Sequence, residues 1–121
     1  MANGENSKRY DLEERTFVFA KTARKFIKLL PITEANRVDA RQLLRASGSV
    51  AANYIEANES LSKKDFLYRI RVCRKEAKES RLHLRLLDTG EEPSVERQRC
   101  DLIQETIELV SIFSAILRNS E

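Results

Sequence analysis

The segment QLLRASGSVAANYIEA, residues 42–57, carries the pattern that decides the fold. Apolar residues recur in it at helical spacing, and Leu43, Val50 and Tyr54 belong to its broad apolar side. Several of its other residues are small, which allows two helices to approach closely. Gly48 costs about 1 kcal/mol relative to Ala in an exposed helix, so we expect tight packing around it. The segment therefore predicts a helix that packs closely against its neighbours.

The same periodicity recurs before and after this segment and predicts three further amphipathic helices. Pro31, the N-cap residue Thr33 and the turn at Thr89-Gly90 separate the helical stretches. The predicted helices cover about residues 11–30, 34–57, 63–88 and 94–118. Because these helices are joined by short connections, we expect an all-α fold, an antiparallel up-down-up-down four-helix bundle.

The composition limits the class of protein. A length of 121 residues with 41% hydrophobic residues suits one domain, expected over residues 11–118 after a flexible leader in residues 1–10. The two cysteines, Cys73 and Cys100, form no CxxC pair and cannot make a disulfide scaffold. No apolar run reaches the length that spans a bilayer, and the N-terminus does not resemble a signal peptide. We therefore expect a cytoplasmic location and no membrane partner.

Residues suited to catalysis or metal binding are not grouped in the sequence. The only histidine, His83, lies away from the apolar stripe of the third helix. Glu76 and Glu79 share one side of that helix, but no Glu-x-x-His pattern accompanies them. The chain also has no glycine-rich phosphate loop and no GxSxG motif. The sequence therefore predicts no enzymatic activity, no metal site, no cofactor and no small-molecule substrate.

The net charge of +3 is unevenly distributed. Residues 62–89 hold nine basic and four acidic residues, a net charge of +5, so the rest of the chain carries −2. Five of the basic residues recur at intervals of three and four, which places them in one row along the third helix. This row, the basic stripe, consists of Arg71, Arg74, Lys78, Arg81 and Arg85.

The basic stripe has two interpretations. Arg binds phosphate with a two-pronged fork of donors, so the stripe is suited to contact with the backbone of RNA or DNA, with Arg69 and Lys75 as helpers. Alternatively, the stripe forms ion pairs within the protein or between subunits. The fourth helix offers carboxylates for such pairs, namely Asp101, Glu105 and Glu108.

A second apolar row lies on the opposite side of the third helix from its main stripe. This outer row consists of Tyr68, Val72, Leu82 and Leu86. A helix in a monomeric bundle needs one buried stripe, and exposed apolar patches usually mark a partner surface. We therefore expect an oligomer interface there, the alternative being an intramolecular core that is wider than usual.

Three segments, residues 42–57, 62–66 (SKKDF) and 75–80 (KEAKES), resemble a family of bacterial four-helix bundles. The family includes the proteins encoded in the intervening sequences of 23S ribosomal RNA genes. Further similar segments cover residues 11–16, 35–37 and 108–113, so the resemblance extends over nearly the whole chain. It implies a homopentameric ring, and it does not imply an enzyme. A more distant branch is similar to accessory proteins of diversity-generating retroelements, basic pentamers that bind nucleic acid and a reverse transcriptase.

The resemblance also marks five polar positions of the family signature, Arg45, Asn53, Glu56, Glu76 and Glu79. We expect a polar seam along the second helix, and we expect Glu79 to meet a basic partner across a subunit interface. Hydrogen bonding or ion pairing is the structural interpretation of all five positions, and a ligand site is the alternative.

Two hypotheses for the function follow. The first is a non-enzymatic oligomeric scaffold or adaptor that contacts RNA or DNA. The second is a protein–protein assembly module without nucleic-acid binding.

Overall fold

The computed structural model describes residues 4–120, with side chains from residue 12 onward. This part of the chain forms four α-helices and contains no strand, which confirms the all-α fold. The helices are α1 (Gly4–Ile27), α2 (Glu34–Asn58), α3 (Lys63–Leu86) and α4 (Pro93–Asn119). The sequence predicts that α1 starts at about residue 11, but the helix begins earlier, at Gly4. The side chains of the expected leader, residues 1–10, lie outside the described residues.

Local hydrogen bonds account for where the helices begin. The Thr33 hydroxyl accepts a bond of 3.0 Å from the backbone N–H of Asn36, and the Ser62 hydroxyl accepts one of 3.1 Å from that of Asp65. Each bond satisfies one of the N–H groups that a helix start leaves without a partner. α4 begins at Pro93, where the missing N–H of proline costs nothing. The cap predicted at Thr33 is thus confirmed, and Ser62 caps α3 in the same way.

The four helices bury their apolar faces against one another. The largest fully buried apolar side chains are Phe19, Phe26, Leu43, Val50, Ile70, Leu84, Leu87, Leu109 and Phe113. Burial of one such side chain contributes roughly 1.5–3 kcal/mol, so the shared core holds the helices together. α3 packs extensively against both α2 and α4, whereas α1 and α4 pack least extensively against each other. This packing leaves the outer face of α3 exposed.

Candidate nucleic-acid interface

The basic stripe lies on the outer part of α3. Arg71, Lys78 and Arg85 are exposed, and Arg74 and Arg81 are half-buried. Arg74 donates a bond of 3.4 Å from Nη1 to the Ser114 hydroxyl on α4, which turns this edge of the stripe toward α4. Among residues 12–120, none of the five side chains forms an ion pair with a carboxylate.

Two of the α4 carboxylates, Glu105 and Glu108, bind a residue of α1 and not the basic stripe. Arg15 donates to both oxygens of Glu105, at 2.7 and 2.9 Å, and to Glu108 at 2.8 Å. The hydrogen bond with Glu105 is the main reason why the pKa of Arg15 lies above its ordinary value. Asp101 is exposed and forms no ion pair within the described part of the chain. Within one protomer, these acids therefore do not neutralise the basic stripe.

The two expected helper residues are engaged elsewhere. Arg69 Nη1 donates a bond of 3.0 Å to Asn53 Oδ1 on α2, and its guanidinium lies 5.5 Å from the centre of the Tyr68 ring. Lys75 Nζ lies 3.7 Å from a carboxylate oxygen of Glu79. Both side chains thus have partners on the α2 side of α3, away from Arg74 and α4.

The outer row is exposed to solvent. Tyr68, Leu82 and Leu86 keep 57%, 49% and 56% of their surface accessible, and Val72 is half-buried. The core of the protomer therefore does not widen to include the row, and its apolar surface is open to another molecule.

Arg45 links the polar signature positions of α2 to those of α3. Its guanidinium donates to Glu76 at 3.2 Å and to Glu79 at 2.7 Å. The Glu76 side chain is only 8% exposed, so Arg45 supplies a charged partner to a buried carboxylate. These hydrogen bonds, first of all the one with Glu76, raise the pKa of Arg45. Glu79 thus has a basic partner within the chain, because α2 places Arg45 directly beside it.

The remaining signature positions lie further along α2. Asn53 donates to the backbone carbonyl and the hydroxyl of Ser49 at 2.9 and 3.0 Å, and it accepts the bond from Arg69. Glu56 is exposed, and its backbone carbonyl accepts a bond from the Ser60 hydroxyl. Arg45, Ser49 and Asn53 thus form hydrogen bonds along the seam between α2 and α3, which supports the structural interpretation of these positions.

The residues considered for metal binding or nucleophilic chemistry lie apart from one another. His83 Nδ1 lies 3.0 Å from Asp39 Oδ1, between α3 and α2. Burial raises the pKa of the Cys73 thiol to about 12, whereas Cys100 is exposed. Among the described residues, no group of three or more His, Cys, Asp or Glu side chains is placed to hold a metal ion. None of the described helices combines the length and the apolar character needed to cross a membrane.

Sequence reasoning did not identify Arg15 as the residue that binds the acids of α4. Its position beside the apolar stripe of α1 was visible in the sequence. Its partners were not, because they depend on how α1 is rotated against α4.

The comparisons with known proteins agree with this architecture. A family model described as 23S rRNA-intervening sequence protein matches residues 8–114. The chain is also similar to the crystal structure of a protein of unknown function from the S23 ribosomal protein family of Bacteroides thetaiotaomicron, with a TM-score of 0.75 and 25% sequence identity. The similarity covers 88% of this chain and 97% of that one. No curated protein matches the sequence.

Proposed function

Because this chain belongs to the 23S rRNA-intervening sequence protein family, we propose that it is a non-enzymatic helical scaffold that assembles with itself and contacts phosphates of RNA or DNA through α3. One observation carries the nucleic-acid part: the basic stripe makes no ion pair with a carboxylate among residues 12–120. A row of unpaired cations on a helix attracts a polyanion and releases its counterions.

The proposal includes an antiparallel up-down-up-down bundle in the cytoplasm that assembles into a homopentameric ring. Two hydrogen bonds support the antiparallel arrangement of α1 and α2, because one of them joins the first half of α1 to the end of α2. Asn58 donates to Glu13 at 3.1 Å, and Arg24 donates to Ser47 at 3.4 Å. The exposed outer row supports self-association, because a row of apolar side chains gains free energy when a partner removes it from water. The number of five subunits rests on the family resemblance.

The nucleic-acid contact is tested by titrating the protein into a fluorescently labelled RNA or DNA duplex at several salt concentrations. We expect the affinity to fall as salt rises. The variant Arg74→Glu/Arg81→Glu reverses two charges on the edge of the stripe nearest α4 and should weaken binding at least tenfold. The control Lys25→Glu/Lys28→Glu makes the same charge change on an exposed part of the chain outside the stripe.

The pair of variants separates a local contact from a general effect of net charge. If the control weakens binding as much as the stripe variant does, the attraction is non-specific. If the stripe variant binds like the wild type, α3 is the wrong surface.

The second candidate function is a protein–protein assembly module without nucleic-acid binding, and the exposed outer row favours it. Light scattering that gives a multiple of the 14.0 kDa chain, together with no duplex binding even at low salt, would select this function. A monomer at micromolar concentration would contradict both candidates.

A further inference from the structure

A groove of about 430 Å³ opens between α1 and α4, where the two helices pack least extensively. Its apolar lining includes Phe19, Leu102 and Val18, and Val18 remains 47% exposed. Glu14 from α1 and Asp101 from α4 line its polar rim. The groove therefore combines an open apolar floor with carboxylates at both sides.

The rim keeps unpaired negative charge. Glu105 also lines the groove, but the guanidinium of Arg15 neutralises it. Glu14 and Asp101 are exposed, and neither forms an ion pair with a described side chain. A partner that offers apolar side chains flanked by cations would match both properties of the groove.

The outer face of α3 has this complementary character. Leu82 and Leu86 lie one turn apart and are about half exposed. Lys78 precedes Leu82 by one turn, and Arg85 lies three residues after it, so both cations border the exposed leucines along one side of the helix. Lys78 and Arg85 are exposed and have no carboxylate partner among residues 12–120.

We propose that the groove between α1 and α4 of one protomer receives α3 of a second copy of this chain. Leu82 and Leu86 cover the apolar floor, and Lys78 and Arg85 pair with the carboxylates of the rim. The inference rests on the self-association in the proposed function and names the two surfaces that form it.

Two different surfaces meet in this contact, so it is heterologous. Each protomer keeps a free groove on one side and a free α3 on the other, and a contact of this kind repeats into a ring when its rotation closes. At ~100° per residue, Arg74 and Arg81 lie about 80–140° around the helix from Leu82 and Leu86. That edge of the basic stripe faces α4 of its own protomer and stays outside the contact, where it can still meet phosphate.

The test reverses the charges of each surface and measures the mass of the assembly by light scattering. Glu14→Lys/Asp101→Lys makes the groove basic, and Lys78→Glu/Arg85→Glu makes α3 acidic. We expect each double variant to fall from the wild-type mass to that of the 14.0 kDa chain, because like charges then face each other. The quadruple variant restores opposite charges and should regain the wild-type mass.

Glu59→Lys and Arg41→Glu reverse exposed charges outside both surfaces and should leave the mass unchanged. If the wild type is oligomeric and both double variants keep its mass, self-association stands and the groove is free for another occupant, which overturns this inference. If the quadruple variant stays monomeric although circular dichroism shows it folded, the charge pairing is wrong. A monomeric wild type would overturn the self-association itself.

Discussion

At the scale of single residues, the stability of the fold depends on the partner of one buried carboxylate, that of Glu76. Only 8% of its side chain is exposed, and Arg45 is its charged partner. We expect Arg45→Ala to lower the free energy of unfolding by about 1–3 kcal/mol, because it leaves a buried acceptor without a partner. The value should lie at the lower end, since Arg45 itself is half exposed and solvent screens the pair.

Urea unfolding followed by circular dichroism measures this difference. Arg41→Ala, an exposed position one turn earlier on α2, is the matched control and should change stability little. Adding Glu76→Gln to Arg45→Ala should recover part of the loss, because the amide is neutral. No recovery would show that Arg45 acts through packing, not through the charge of Glu76.

Gly48 offers a second prediction at this scale. A Cβ atom added there would lie 3.3 Å from Nη2 of Arg24, which is the end of a flexible and exposed side chain. We expect Gly48→Ala to raise the free energy of unfolding by about 0.5–1 kcal/mol, because Arg24 can move aside and alanine costs less backbone entropy.

Ala52→Gly, at an exposed position of the same helix, should lower stability by a similar amount and calibrates the glycine effect. If Gly48→Ala instead destabilises the protein in thermal melts, the bonds that Arg24 donates to Ser47 and to the Leu44 carbonyl matter more than the helix preference.

At the scale of helices, α1 is joined to α4 by ionisable groups. Hydrogen bonds from Gln104 and then from Arg15 hold the pKa of Glu108 below its ordinary value. A carboxyl group whose pKa is lower in the folded state adds stability above its unfolded pKa, and this contribution disappears as the pH falls through the folded pKa. The Glu108 contribution is therefore present at neutral pH and is lost in acid.

We expect Glu108→Gln to make the loss of stability between about pH 5 and pH 3 less steep than in the wild type. Melting temperatures across this pH range provide the measurement. Glu59→Gln, at an exposed carboxyl group without an ion pair in the described part of the chain, should leave the slope unchanged. Equal slopes for wild type and Glu108→Gln would show that Glu108 does not contribute to the loss of stability in acid.

At the scale of the whole molecule, the proposed self-association would couple stability to protein concentration. Assembly would remove the exposed surface of the outer row from water only in the folded state, so mass action would favour folding. The melting temperature of the wild type should therefore rise as its concentration increases.

Leu82→Ser/Leu86→Ser removes two exposed apolar side chains and should abolish this dependence, because the contact between copies then loses its apolar part. Ile32→Ser, at an exposed apolar residue outside the outer row, is the matched control. A melting temperature independent of concentration in the wild type would contradict the assembly proposal.

Local chemistry made much of the fold predictable. The start of α2 followed from Thr33, because a cap acts on residues two or three positions away in the chain. The basic stripe was also visible, since helical spacing alone aligns its residues.

The partners of these residues were beyond the sequence, because they depend on how each helix is rotated and shifted against the next. Only the packed structure shows that Arg15 pairs with Glu105 of α4 and that Arg45 pairs with Glu79 of the same chain. The amino-acid sequence by itself thus determined four helices, their caps and the row of cations. The tertiary structure decided that this row forms no ion pair with a carboxylate among residues 12–120, because Glu105 and Glu108 of α4 bind Arg15 of α1 instead.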